Sequence, residues 1–131
     1  MRASGIRGIT TASKWVNRGL ATSADFMYGD LTVDAAWHDL DLSGIVPAGA
    51  TFVEIQVVAI CQVAFNRIEF REKDLTTEYA TYECYVQVSM IPIAKRFWIP
   101  IDANGMIEYY VTVATWPAIA INVKAWILPG S

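Results

Sequence analysis

From Asp34 onward the hydrophobic residues recur at every second position, the spacing of strands whose side chains alternate between two faces. Val53, Ile55, Val57, Ala59 and Cys61 share one face of a long strand, with Phe52, Glu54, Gln56, Val58, Ile60 and Gln62 on the other. Tyr82, Cys84, Val86, Val88 and Met90 repeat the pattern, and so do Ile107, Tyr109, Val111 and Val113. Ile119, Ile121, Val123, Ala125 and Ile127 close the series against Ala120, Asn122, Lys124, Trp126 and Leu128. Shorter segments at 26–33, 36–42, 65–71 and 95–99 bring the expected total to about eight strands. No segment carries an apolar stripe of helical period and helical length.

Turn chemistry divides these segments. Val46-Pro47-Ala48-Gly49-Ala50 supplies a preset φ at proline and a permissive residue at glycine. Asp102-Ala103-Asn104-Gly105 ends in the Asn-Gly pair of tight hairpins and predicts one joining 97–101 to 106–113. Trp116-Pro117 turns the chain into its last strand, and the polar stretch 71–81 predicts an exposed loop. Residues 1–25, with Arg2, Arg7, Lys14 and Arg18 among Gly, Ser and Thr, read as an N-terminal arm or loosely packed leader. That leaves 26–131 as a single domain without repeats or linkers. The expected architecture is all-β: an antiparallel β-sandwich, jelly-roll-like, of about eight strands.

Composition adds a demand for extra burial. Hydrophobic residues make up 54% of the 131 positions and charged residues 18%, a surplus that one small domain hides poorly. Self-association is therefore expected. Trp126 alternates with Lys124 and Asn122 on the outer face of the last strand, and Tyr110 and Trp116 fall on the matching face of the strand before it. Pairing of those two strands would create an apolar patch, so Phe52, Tyr110, Trp116 and Trp126 are the expected oligomer interface. The net charge of −3, with ten scattered basic residues, gives no footprint for nucleic acid. Met1 to Ala24 holds no apolar run of signal-peptide length, and no stretch reaches the roughly 18 apolar residues of a spanning helix. Alternating strands also mark membrane barrels, but apolar residues on both faces of several strands argue against insertion. A soluble chain made in a cytoplasm is expected, with Cys61 and Cys84 as free thiols.

Residues for catalysis, cofactors or metals do not assemble in the pattern. His38 is the single histidine, too few for a zinc or iron site at the available spacings. Ser43, His38 and Asp41 spell a triad, but no nucleophile turn surrounds the serine. Asp30, Asp34, Asp39 and Asp41 lack the spacing of a calcium loop, and turn chemistry alone accounts for Asp102, Asn104 and Gly105. Gly5 and Gly8 precede no strand-to-helix junction that would cradle a phosphate. Five Trp, six Tyr and five Phe leave one binding alternative, a carbohydrate-binding module presenting rings on one sheet or in the 71–81 loop.

Two stretches carry a family likeness. Trp37-His38-Asp39-Leu40-Asp41-Leu42-Ser43-Gly44-Ile45-Val46-Pro47-Ala48-Gly49-Ala50-Thr51-Phe52-Val53 resembles the opening of small β-sandwich structural domains encoded by bacteriophages and in viral metagenomes. Ile99-Pro100-Ile101-Asp102-Ala103-Asn104-Gly105-Met106-Ile107-Glu108-Tyr109 is similar to a later hairpin of such domains, before a closing strand with an aromatic near its end, here Trp126. The resemblance spans Trp37 to Leu128 and rests on the order and spacing of two turn motifs. It implies a non-enzymatic part of a virion, a tail-fibre head or capsid decoration, made in the host cytoplasm and assembling with itself as a trimer. Other virion proteins and a host-surface glycan are the further partners it implies, and the basic leader would fit an attaching arm. It supplies no catalytic residues.

Overall fold

Alternation is cleanest in the strand Phe52–Ile60, where Val53, Ile55, Val57 and Ala59 are fully buried while Phe52 and Val58 face outward. The structure, a computed structural model, describes residues 13–77 and 79–130. In these residues the strands are β1 (Lys14–Asn17), β2 (Phe26–Met27), β3 (His38–Asp41), β4 (Phe52–Ile60), β5 (Arg67–Glu72), β6 (Thr81–Tyr85), β7 (Ile93–Pro100), β8 (Met106–Val111) and β9 (Ala118–Leu128). One sheet has the order β1-β9-β4-β7, with β2 also paired to β9; the other has the order β3-β8-β5-β6. Every pair is antiparallel.

From β2 to β9 each connection crosses to the other sheet except the hairpin β5–β6. That is the strand order of a jelly roll, the expected architecture. The core lies between the sheets. Ile55, Val57, Ile121 and Val123 from one sheet and Ile68, Phe70, Ile107 and Val111 from the other are all buried. Phe97 joins the layers, with its ring 6.1 Å from Phe70 and 5.9 Å from Tyr82.

Three expectations change on contact with the fold. Part of the supposed leader is sheet: Lys14, Trp15, Val16 and Asn17 pair in register with Leu128, Ile127, Trp126 and Ala125. A clamp secures the return to β2. Arg18 donates to the Asp25 carboxylate and to the Val123 carbonyl, and the same carboxylate accepts the Val123 N–H at 2.8 Å. The bond to Asp25 raises the Arg18 pKa above its ordinary value. The rest of the proposed arm, residues 1–12, lies outside the described residues.

The second change concerns the Asn-Gly turn. It forms, with Gly105 N–H donating to the Asp102 carbonyl at 3.1 Å and Asp102 Oδ1 accepting from Asn104 and Met106 N–H. Its flanking strands, however, belong to different sheets, since β7 pairs with β4 while β8 sits between β3 and β5. The turn is an arch between layers, because turn chemistry fixes the local reversal and not the ladders beyond it. Third, the strand expected over 82–90 ends at Tyr85; Cys84 and Val86 are buried as the alternation requires, but Val88 and Met90 are exposed, Met90 with a φ of 63°.

Cys61 and Cys84 are free and buried. Burial pushes the Cys84 thiol up to about 11 from 9.0. At pH 8 this thiol is expected to react with a disulfide reagent at least about a hundredfold more slowly in the folded chain than in urea; equal rates would place it at the surface. The folded state holds the proton more tightly than the unfolded one. The linked stability is therefore complete below pH 9.0 and is lost as pH rises through about 11.

Candidate functional site

Outer faces of the two sheets differ in chemistry. Antiparallel partners point to the same side, so registers define rows across each sheet. On the five-stranded sheet Trp15, Ile127, Phe52 and Pro100 stand opposite one another across β1, β9, β4 and β7. Trp15 is 57% exposed and Phe52 40%. A second apolar row is formed by Met27, Ala120, Val58 and Ala94. Between the rows run Asn17, Glu54, Gln56, Arg96, Asn122 and Lys124; of these Asn17, Glu54, Arg96 and Lys124 line a groove of about 370 Å³ together with Trp15 and Leu20.

Of the four residues expected at an interface, only Phe52 stands on this face. Trp126 is turned inward by a β-bulge. Glu54 pairs with Ala125 and Ile55 with Val123, so Lys124 is an extra residue in β9. Beyond it the alternation inverts, and Trp126 lies opposite the buried Val53 and packs against the core. Its Nε1 is buried with no acceptor among the described residues. Trp116 is 4% exposed and belongs to the core, its Nε1 donating to the Thr112 carbonyl at 3.0 Å. Tyr110 lies on the outer face of the other sheet, because β8 and β9 do not pair. The premise that joined the four residues therefore fails.

The outer face of the four-stranded sheet is a charged and aromatic network. Arg71 lies over the Trp37 ring at 4.1 Å and bonds Glu108 at 2.5 Å, while Arg67 lies over the Tyr110 ring at 5.4 Å and bonds Glu69 at 2.6 Å. The Trp37 and Tyr110 rings are 5.4 Å apart. Lys73 reaches from the β5–β6 connection to Asp39 at 2.6 Å and Glu108 at 3.4 Å. The bond to Asp39 raises the Lys73 pKa above its ordinary value, and the bond to Glu69 does the same for Arg67. Trp37, Tyr110, Arg67, Glu69 and Arg71, with three threonines, Thr76, Thr77 and Thr81, line a shallow groove of about 310 Å³.

Sequence reading placed Tyr110 outward but missed this groove. Its strands β3, β8 and β5 are far apart in the chain, and only their pairing brings Trp37, Tyr110 and Arg71 together. A usable signal was present in Arg67, Glu69 and Arg71, which alternate along one strand with Ile68 and Phe70. The triad spelled by Ser43, His38 and Asp41 does not form: His38 Nε2 bonds Asp34 at 2.7 Å, whereas Ser43 Oγ donates to Asp41 at 2.6 Å. Ser43's donated bonds, the hydroxyl's first, lower the Asp41 pKa. Among the described residues no group of three or more His, Cys, Asp or Glu is placed to hold a metal ion. No protein-family model and no curated protein matches the chain.

Proposed function

We propose that the chain is a non-enzymatic structural subunit of a virus-like or phage-like particle, assembling with copies of itself through the outer face of its five-stranded sheet. The observation that carries this reading is the row Trp15, Ile127, Phe52 and Pro100, apolar across four strands and open to solvent at its two aromatic rings. Exposed apolar rows of this kind suit a protein partner. The β7 edge is a poor route to assembly, since Lys95 and Arg96 are exposed there and Pro100 offers no N–H. Packing of this face around a rotation axis closes on itself and avoids fibres. Three copies are the proposed number, with other virion proteins as the object of attachment.

Viral context is supported by the resemblance of the Trp37 to Val53 and Ile99 to Tyr109 stretches and by the jelly-roll order. Jelly rolls also occur in lectins, and a fold does not fix a function. Light scattering coupled to size exclusion tests the reading. The expected mass is three times 14.5 kDa, constant over a hundredfold dilution series. Burial of a large apolar side chain contributes on the order of 1.5–3 kcal/mol. Trp15→Asp combined with Phe52→Asp should therefore yield a folded monomer. A monomeric wild-type protein, or a double variant of unchanged mass, would overturn the proposal.

A further inference from the structure

We propose that the groove on the outer face of the four-stranded sheet binds a neutral sugar, a polyhydroxylated ligand without net charge. The groove lies on the opposite side of the sandwich from the assembly face, so this inference stands independently of the proposed assembly. Its volume of about 310 Å³ is at the small end of ligand sites. Charge excludes the ionic ligands. Arg67 and Arg71, which would draw an anion, are each bonded to a carboxylate, Glu69 and Glu108, and Glu83 stands 3.5 Å from Arg67. Glu69 lines the groove, and Glu108 and Glu83 neutralise the guanidinium groups from beside it, so among the described residues neither an anion nor a cation meets an unpaired opposite charge there.

A hydroxyl group suits both partners of the Arg67–Glu69 pair at once, donating to the carboxylate and accepting from the guanidinium, and it can accept from Arg71 as well. A guanidinium has five N–H donors, and the bonds to Glu69 and Glu108 engage the Nε donor of each arginine. Thr76, Thr77 and Thr81 add hydroxyls, each both donor and acceptor. Trp37 and Tyr110, each with an arginine over one face, line the groove with the rest of their half-buried rings, an apolar surface for the C–H side of a sugar ring. Preorganisation completes the case. Arg67 and Arg71 are held by stacking and by ion pairing, so little side-chain freedom remains to be lost on binding.

The test is a titration of the isotopically labelled full chain, followed by NMR. Probes are glucose, galactose, mannose and N-acetylglucosamine, short oligomers of each, and sialylated and sulfated oligosaccharides as the charged arm. Saturable shifts of the Trp37 indole N–H and of the Arg67 and Arg71 Nε–H signals are expected with at least one neutral sugar, without a shift at Trp15. Trp37→Ala should weaken that binding roughly tenfold, and Trp15→Asp should leave it unchanged. Thr77→Val, on the exposed rim, gives a second variant should Trp37→Ala fail to fold, and it too should weaken binding. Absence of saturable shifts with every neutral sugar, saturation by charged oligosaccharides alone, or shifts mapping away from the groove would overturn the inference.

Discussion

Trp116→Ala is expected to lower the unfolding free energy by about 3–5 kcal/mol while leaving the mass of the folded assembly unchanged. The ring is 4% exposed within the core, so its removal leaves a cavity that the packed strands fill only in part. It also strips the Thr112 carbonyl of an N–H donor. Thr112 ties strands together: its N–H donates to the Arg67 carbonyl, and its hydroxyl accepts the Arg67 N–H and donates to Asn66. Urea unfolding measures the loss. A cost below about 0.5 kcal/mol, the range of ordinary surface changes, would mean that this ring is not core. A dissociated but equally stable variant would return it to an interface.

Gly105→Ala is expected to cost about 2–4 kcal/mol, the second large effect. Gly105 has a φ of 78°, where a side chain brings strain of about 1–2 kcal/mol. A Cβ there would also stand 2.9 Å from Ser43 Cα and Cβ and 3.1 Å from its nitrogen. Backbone cannot yield as a flexible side chain would, and the Leu42 N–H bond of 2.8 Å to the Gly105 carbonyl holds the two segments together. Gly49 supplies the comparison, with a φ of 91° and open space around its hypothetical Cβ. Gly49→Ala should show the strain alone, about 1–2 kcal/mol. Equal losses in the two alanine variants, measured by urea unfolding, would remove the Ser43 contact from the account.

Period-two alternation made the inner face of the sandwich legible. Val53, Ile55, Val57, Ala59 and Cys61 are buried as the spacing required, and so are Ile119, Ile121 and Val123. Alternation carries no information about an extra residue, so the bulge at Lys124 reversed the assignment of Trp126. Nor does it say which strands pair. Period two places Tyr110 outward, as the structure does, but not on the right sheet, because neighbouring strands in sequence lie in different layers here. β1 escaped notice because four residues, KWVN, mostly exposed, give too short a pattern to separate from a polar leader. The groove around Trp37 was illegible for a related reason: it is made of rows across strands, whereas sequence reading follows one strand at a time.

One pairing bears on how the domain carries load. Lys14 lies opposite Leu128, so the outer end of β1 and the outer end of β9 sit side by side. Tension applied between those two points would open the β1–β9 ladder like a zipper, breaking one rung after another, first Lys14 with Leu128, then Trp15 with Ile127. Shear across a ladder must break many bonds together; peeling does not. The four-rung strip would therefore yield at low force. The Arg18–Asp25 clamp, anchored to Val123 beyond the last rung, would be the first point of firm resistance.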